Sequence, residues 1–336
     1  MRDQVTALGL ALVVLLIGFA LAETGPGAAL GEAVAQGLAS LAAPLLRLAD
    51  PGLSQVGTIL RGSAGWAVRV SEVCDGHGLA ISLAAGLVAT GVGLRRGGVQ
   101  LALGLVAIQA FNLLRIVALA LVLDGDPASF DLVHAGVFPY LSVVLLALCL
   151  LPLRQVAVLA LAALPLVVLW LAYADTLAAG LVAPANLVLS AVSGPEVGQI
   201  AFRAAGWTVG TGLMADAGAE GVSRFLAPLR PADFALALPV LLAAVLVARR
   251  PSWLVWALLS ILAALVIAAI TTVWTLAQAR APAVVLLPDG AGGFLTQDFS
   301  PPKTGLALLR LAQSALVHLN LLVLPTLVLA RGRGRA

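Results

Sequence analysis

The sequence predicts an all-α polytopic membrane protein with about eight transmembrane helices and short β-prone extracytoplasmic segments. Of its 336 residues, 61% are hydrophobic and only 10% are charged, whereas soluble domains carry about 25% charged residues. The mean hydropathy is +1.08. A helix needs about 20 consecutive apolar residues to span a bilayer, and candidate runs lie near residues 5–22, 76–94, 99–123, 133–153, 156–175, 236–248, 253–277 and 307–330.

The distribution of charge predicts how these runs are oriented. If Met1 is cytoplasmic, only Asp3 of the 16 acidic residues lies in the inner segments. Nine of the 19 basic residues lie there: Arg2, Arg95, Arg96, Arg154, Arg249, Arg250, Arg331, Arg333 and Arg335. Short arginine-rich loops stay on the cytoplasmic side, so we expect a multi-pass protein of the bacterial inner (cytoplasmic) membrane with its N-terminus in the cytoplasm. The net charge of +3 reports this orientation, and no basic face for a nucleic acid is visible.

The first apolar run ends in GFALAETG, where Ala20 and Ala22 give the small-residue pattern that signal peptidase accepts. The run is long for the apolar region of a signal peptide, so we expect a retained helix. The orientation of the later helices is the same in either case.

The segments assigned to the extracytoplasmic side are long, so any chemistry is expected there. In the first of them, residues 28–47 predict a helix with an apolar stripe, and residues 55–73 predict a β-hairpin. The sequence VGTILRGSAGWAV (56–68) resembles VGQIAFRAAGWTV (197–209). This likeness is either a degenerate internal duplication or two unrelated glycine-rich turns.

The two cysteines are too few for a disulfide framework. Cys74 is expected at the outer end of the second run and Cys149 near the inner end of the fourth. A bilayer core about 30 Å thick would separate them, so we expect Cys149 to be packed among leucines. Cys74 precedes a helix whose dipole favours a thiolate, whereas Glu72 and Asp75 oppose it.

Arg115 lies within the third run, in IQAFNLLRIVALALVLDG. If that helix ends near Leu123, Arg115 lies about 12 Å below its outer end, where an unpartnered guanidinium is costly. Asn112 lies three residues earlier on the same face, and Gln109 extends the polar stripe. We therefore expect this face to line a polar site.

His134 opens the fourth run, in FDLVHAGVFPY. A short outer turn makes the third and fourth helices antiparallel neighbours, so we expect His134 above Arg115, with Asp131 available to orient the imidazole. A histidine can take a proton from the thiol of Cys74, and an arginine can stabilise a thiolate or a developing oxyanion. These groups indicate acyl transfer through a thioester, for which we expect neither a metal nor a cofactor.

The motifs VSEVCDGHGL, AFNLLRIVAL and FDLVHAGVFPY, in this order, resemble the exosortase/archaeosortase family of polytopic membrane transpeptidases. The family pattern is Cys-x-Gly at the start of a helix, Asn-x-x-Arg within the next helix, and a histidine that opens the one after. Cys74 with Gly76, Asn112 with Arg115, and His134 match this pattern over roughly residues 1–155.

The resemblance implies that Cys74 is the nucleophile, His134 the acid/base and Arg115 the electrostatic partner. It implies an active site that faces the extracytoplasmic side, at the level of the membrane lipid. The partners it implies are exported proteins with a C-terminal sorting signal, which consists of a short motif, a transmembrane helix and a basic tail. The acyl group would then pass to water or to an unknown acceptor nucleophile.

The nucleophile motif departs from the family pattern at one position. Asp75 stands where serine is usual, and an anion there disfavours the thiolate unless Arg115 or another cation offsets it. Asp75 could instead orient a histidine. His77, three residues after Cys74, is a rival base to His134, which we place first.

The rest of the chain, residues 156–336, is expected to form an additional membrane domain of about four helices beside the exosortase-like domain of residues 1–155. It is either a degenerate repeat or a substrate gate. We recognise no motif in it, and we expect His318 to be a packed or lumen-facing histidine.

Two other functions stay open. The polar face of Arg115 is compatible with a transporter of an anionic solute, which predicts further buried charges on other helices. The chain is also compatible with a catalytically silent membrane scaffold, an alternative that Asp75 keeps open.

Overall fold

The protein is described here from a computed structural model, which covers residues 2–71, 76–192, 197–203, 206–216, 222–229, 237–249, 251–279, 283–288 and 294–330. It is mostly helical and divides into two compact units. The first unit comprises Met1–Leu166, Pro239–Leu254 and His318–Ala336, and the second comprises Val167–Leu238 and Val255–Val317.

The helices in chain order are α1 (Arg2–Ala22), α2 (Gly25–Arg47), α3 (His77–Thr90), α4 (Leu94–Gly125), α5 (Phe130–Leu132), α6 (Phe138–Leu150), α7 (Leu153–Ala179), α8 (Val182–Val192), α9 (Ala237–Ala248), α10 (Ser252–Ala279), α11 (Lys303–His318) and α12 (Leu324–Ala330). Two π-helical turns interrupt this pattern. The first π-turn, Val133–Val137, joins α5 to α6, and the second, Leu319–Val323, joins α11 to α12.

Six helical segments in the described part of the chain are long and apolar enough to cross a membrane: Val5–Ala22, Gly25–Arg47, Leu94–Gly125, Leu153–Tyr173, Ser252–Ala279 and Lys303–Ala330. The protein is therefore a multi-pass helical membrane protein, although these six do not match the eight expected runs one for one. The run expected at 76–94 forms a helix of only 14 residues, about 21 Å long. It ends because Gly91 adopts a left-handed conformation with φ of 70°, which glycine tolerates best.

The pairing of α1 with α3 explains why the N-terminal run carries small residues. Ala7, Ala11 and Leu15, spaced four residues apart, are fully buried on one stripe of α1. Gly18 continues that stripe and faces Ile81 of α3. Small side chains let membrane helices approach closely, so α1 lies directly against α3.

The helix α4 is longer than a bilayer requires. Its 32 residues extend about 48 Å, against a hydrocarbon core of about 30 Å. The C-terminal part of α4, at Ile116 and Ala120, packs into a buried cluster with α2 and the neighbouring strands. The other members of this cluster are Ala35, Leu38, Ala39, Ala42, Ala43, Leu46, Leu53, Leu60 and Val70.

A three-stranded antiparallel sheet follows α2, in the order β1 (Ser54–Val56), β2 (Ile59–Arg61) and β3 (Ala67–Arg69). The indole of Trp66 donates a hydrogen bond of 2.8 Å to Asp124 Oδ1 near the end of α4. Asp50, which follows α2, is tied to the turn between β2 and β3, because its carboxylate accepts from the Ser63 amide at 2.7 Å and from the Ser63 hydroxyl at 2.8 Å. The sheet is therefore tied to both of its helical neighbours.

The second unit contains a sheet of five strands: β4 (Val197–Arg203), β5 (Gly206–Asp216), β6 (Val222–Leu229), β7 (Ala283–Pro288) and β8 (Phe294–Phe299). Its order is β4-β5-β7-β8, with β6 also paired to β5, and all pairs are antiparallel.

The two similar sequences at 56–68 and 197–209 both form antiparallel hairpins, but their registers differ. Leu60 pairs with Val68 in the first hairpin, whereas its counterpart Ala201 pairs with Thr208 in the second. Since Thr208 aligns with Ala67, the second register is shifted by one residue. Such a shift exchanges the two faces of a strand, so the hairpins do not correspond residue for residue.

The bonds from Ser63 hold the pKa of the Asp50 carboxyl below its usual value of 3.8. A lowered pKa stabilises the fold above the ordinary range of the group, and this contribution is lost as the pH falls through the lowered value. We therefore expect Asp50→Asn to lower the midpoint of thermal unfolding in detergent at pH 7. The difference from the wild type should shrink as the pH falls to about 2. A difference that is constant across this range would contradict the assignment.

Candidate active site

The predicted nucleophile Cys74 and its neighbours Glu72 and Asp75 lie outside the described residues. The description resumes at Gly76, which precedes α3 with a left-handed φ of 82°. A Cβ at this position would overlap with Asn112 Nδ2 and lie 2.9 Å from Ile108 Cγ2. The start of α3 therefore packs directly on the middle of α4, and only glycine fits there.

Asn112 is the buried polar group at this contact. It is 1% exposed, and its Nδ2 has no hydrogen-bond partner among the described residues. A buried donor left without a partner costs about 1–3 kcal/mol, so such groups in a native fold call for a reason. The side chain faces Gly76, two residues beyond Cys74 in the chain.

Arg115 lies one turn further along α4 and is half-buried. Its Nε is buried, and it too lacks a hydrogen-bond partner within the described ranges. Its guanidinium carbon lies 5.9 Å from the centre of the Phe138 ring, a distance at which the ring face attracts a cation. Phe111, one turn earlier, packs edge-on against the same ring at 5.8 Å.

The length of α4 shows how far Arg115 lies from the two ends of the helix. Arg96 lies near the start of α4, and Arg115 lies about 29 Å further along the helix axis. Beyond Arg115 the helix continues for about 15 Å to its end at Gly125. In this last part, Ile116 and Ala120 pack into the cluster with α2 and the strands.

His134 lies in the first π-turn, and its ring stacks on Phe130 with 5.4 Å between centroids and an angle of 7°. Phe138, whose ring faces Arg115, follows four residues later in the chain. Asp131 is exposed. The contacts described for the two groups involve different rings, since Arg115 meets Phe138 and His134 meets Phe130. The convergence of the histidine and the arginine stays a prediction.

The rival base His77 faces a different neighbour. It is the first residue of α3, and its ring meets that of Phe19 of α1 edge-on at 6.0 Å. His77 of α3 and Gln109 of α4 line a cavity of about 330 Å³, whose other walls come from α1 and α2. Gln109 lies three residues before Asn112, so the polar stripe of α4 runs from this cavity to the neighbourhood of Arg115.

Cys149 takes no part in either group. It is half-buried, and its sulfur lies close to Gly104 of α4, as expected for a packed thiol. Within the described ranges, no cluster of three or more His, Cys, Asp or Glu residues is arranged to hold a metal ion.

The aromatic side chains around the site were not predicted from the sequence. Phe130 and Phe138 flank His134 at four-residue spacing within FDLVHAGVFPY, a signal that was present in the motif. The contact of His318 with the start of α3 had no such signal, because 240 residues separate the two positions.

Comparison with known proteins gave no match: no family model, no curated protein and no solved structure resembles this chain at a significant level. The site must therefore be interpreted from its own residues.

Gly76→Ala tests the contact between α3 and α4, and Gly91→Ala is its matched control. Both glycines have a left-handed φ, but a Cβ at Gly91 meets no atom within 4 Å. We expect Gly91→Ala to cost about 1–2 kcal/mol of strain and Gly76→Ala to cost clearly more, because it also displaces Asn112. Thermal unfolding in detergent measures both. Equal losses would show that the side chain of Asn112 does not lie against residue 76.

Proposed function

We propose that this protein is an intramembrane cysteine protease or transpeptidase of the exosortase type, acting on C-terminal sorting signals of exported proteins. The observation that carries the proposal is the packing of Gly76 on Asn112, beside an Arg115 whose Nε has no hydrogen-bond partner in the described part of the chain. This contact brings two of the three sequence motifs together. The third motif reaches the same helix through Phe138, whose ring lies against Arg115.

Chain connectivity supports Cys74 as part of this group. Consecutive Cα atoms are about 3.8 Å apart, so the Cα of residue 74 cannot be more than about 7.6 Å from that of Gly76, whatever the conformation between them. Asn112 contacts Gly76, and Arg115 lies on the next turn of the same helix. We therefore include Cys74 in the proposed group.

The proposed reaction begins with proton transfer from the thiol of Cys74 to the imidazole of His134. The thiolate attacks the carbonyl carbon of the scissile peptide bond, and Arg115 stabilises the oxyanion that forms. When this intermediate collapses, the C–N bond breaks and the imidazolium donates its proton to the leaving amine. Water or an acceptor amine then attacks the thioester, gives its proton to the imidazole and releases Cys74 as a thiol.

The position of the group fits a substrate that is itself anchored in a membrane. We place Arg115 near one boundary of the hydrocarbon core, because about 29 Å of α4 separates it from Arg96 and the core is about 30 Å thick. A sorting signal places its cleavage motif at the end of a transmembrane helix, at the same level. We propose that this boundary is the extracytoplasmic face of the bacterial inner membrane, in accordance with the arginine distribution.

Cys74→Ala and Cys74→Ser are expected to abolish processing of a co-expressed substrate, because neither leaves a nucleophilic sulfur. Cys149→Ala is the matched control and should process normally, since Cys149 packs against Gly104. Processing is read by the mobility of the substrate on a gel, with membrane insertion of each variant checked in parallel. Full processing by Cys74→Ala would exclude the enzyme and would favour the transporter or the silent scaffold.

Arg115→Lys is expected to lower the rate by at least about 100-fold, the loss typical of removing an oxyanion donor, because a lysine lacks the planar fork of donors.

His134→Ala and His77→Ala decide between the two candidate bases. We expect the first to lose processing and the second to retain it. The pH dependence of the rate should lose its lower limb only in the variant that lacks the base. The opposite result would assign the base to His77.

A further inference from the structure

The C-terminal segment brings another histidine to the start of α3. His318 is the last residue of α11, and the second π-turn follows it directly. Its imidazole lies so close to Gly78, the second residue of α3, that a Cβ on residue 78 would overlap with His318 Nε2. The imidazole also packs against the ring of Phe19, with 4.8 Å between the centroids.

The start of α3 is thus held from two directions. Phe19 contacts both His77 and His318, so α1 and the C-terminal segment enclose the first turn from one side. Asn112 of α4 contacts Gly76 from another. Because Gly76 and Gly78 have no side chains of their own, neighbouring groups determine where this turn lies.

The backbone next to this contact is unusual, because the second π-turn follows His318 directly. Such a turn inserts one extra residue into a helix, is rare, and is frequently found at functional sites. The inserted turn also buries a polar residue, Asn320, which is 2% exposed. The first π-turn holds His134. Two of the three histidines are therefore in or directly beside a π-turn.

We propose that His318 is a positioning residue for the reaction proposed above. It fixes the first turn of α3, which follows Cys74 closely in the sequence, without contacting the substrate. This inference rests on the proposed function. An error of about 1 Å in the position of a reacting group can cost about 100-fold in rate, so a packed imidazole at Gly78 is able to control the rate from outside the reacting group.

The test is steady-state processing of a purified substrate by the full-length protein in detergent. His318→Ala is expected to lower kcat by about 10- to 100-fold, within the range of such positioning errors. KM should stay within about twofold, because the substrate-binding surface is unchanged. His318→Gln should recover most of kcat, because its amide nitrogen can reach the place of Nε2 against Gly78. Wild-type kcat in His318→Ala overturns the proposal, and so does a raised KM with an unchanged kcat.

Gly78→Ala gives a second test that does not depend on the stability of His318→Ala. Alanine is a better helix former than glycine, so a loss of kcat must come from displacement of the imidazole. Gly98→Ala in α4 is the matched control, because a Cβ there meets nothing within 4 Å. We expect Gly78→Ala to lower kcat and Gly98→Ala to leave it unchanged. Wild-type kcat in both variants overturns the proposal.

These outcomes are distinct from failure of the proposed function. If Cys74→Ala still processes the substrate, the enzyme itself is excluded. If Cys74 is required and the His318 and Gly78 variants keep the wild-type kcat, only the positioning role is excluded.

Discussion

The approach of Gly76 to Asn112 is the contact on which the arrangement of the site depends. The carboxamide of Asn112 is buried in the middle of α4 and occupies the space that a Cβ at position 76 would need. A glycine in the left-handed conformation leaves this space free. The first turn of α3 is thereby fixed at the level of α4 where Arg115 follows one turn later. Rotation of α4 about its axis would turn Asn112 towards lipid, which would be costly.

Aromatic rings pack against the arginine and the histidines of the site. In an apolar interior, a guanidinium is stabilised by the face of a ring, and Phe138 supplies that face to Arg115. Phe130 stacks on His134 one turn earlier in the chain. The first π-turn lies between these two rings in the chain. Phe19 packs against the rings of both His77 and His318.

Sequence patterns located the polar residues of α4 and the first π-turn well, because a polar residue inside an apolar run is conspicuous. They did not predict what the last turns of α4 pack against. In the structure, α4 continues into a cluster with α2 and the strands, a long-range contact that no local period reports. The contact of His318 with Gly78 was invisible for the same reason. Local pattern predicts which residues are unusual, and long-range packing decides what they meet.

The aspartate at position 75 raises an electrostatic question that the described residues help to answer. An anion next to a thiol raises the pKa of that thiol and weakens it as a nucleophile. Two features oppose this effect. The first-turn amides of α3 have no side-chain cap, so the positive end of the helix dipole is available to an anion. Arg115 supplies a full positive charge whose buried Nε has no hydrogen-bond partner among the residues described. In a medium of low dielectric a fixed cation has more effect than it has in water. Both features oppose the effect of a negative charge at position 75, and the contact with Phe138 holds the cation in place.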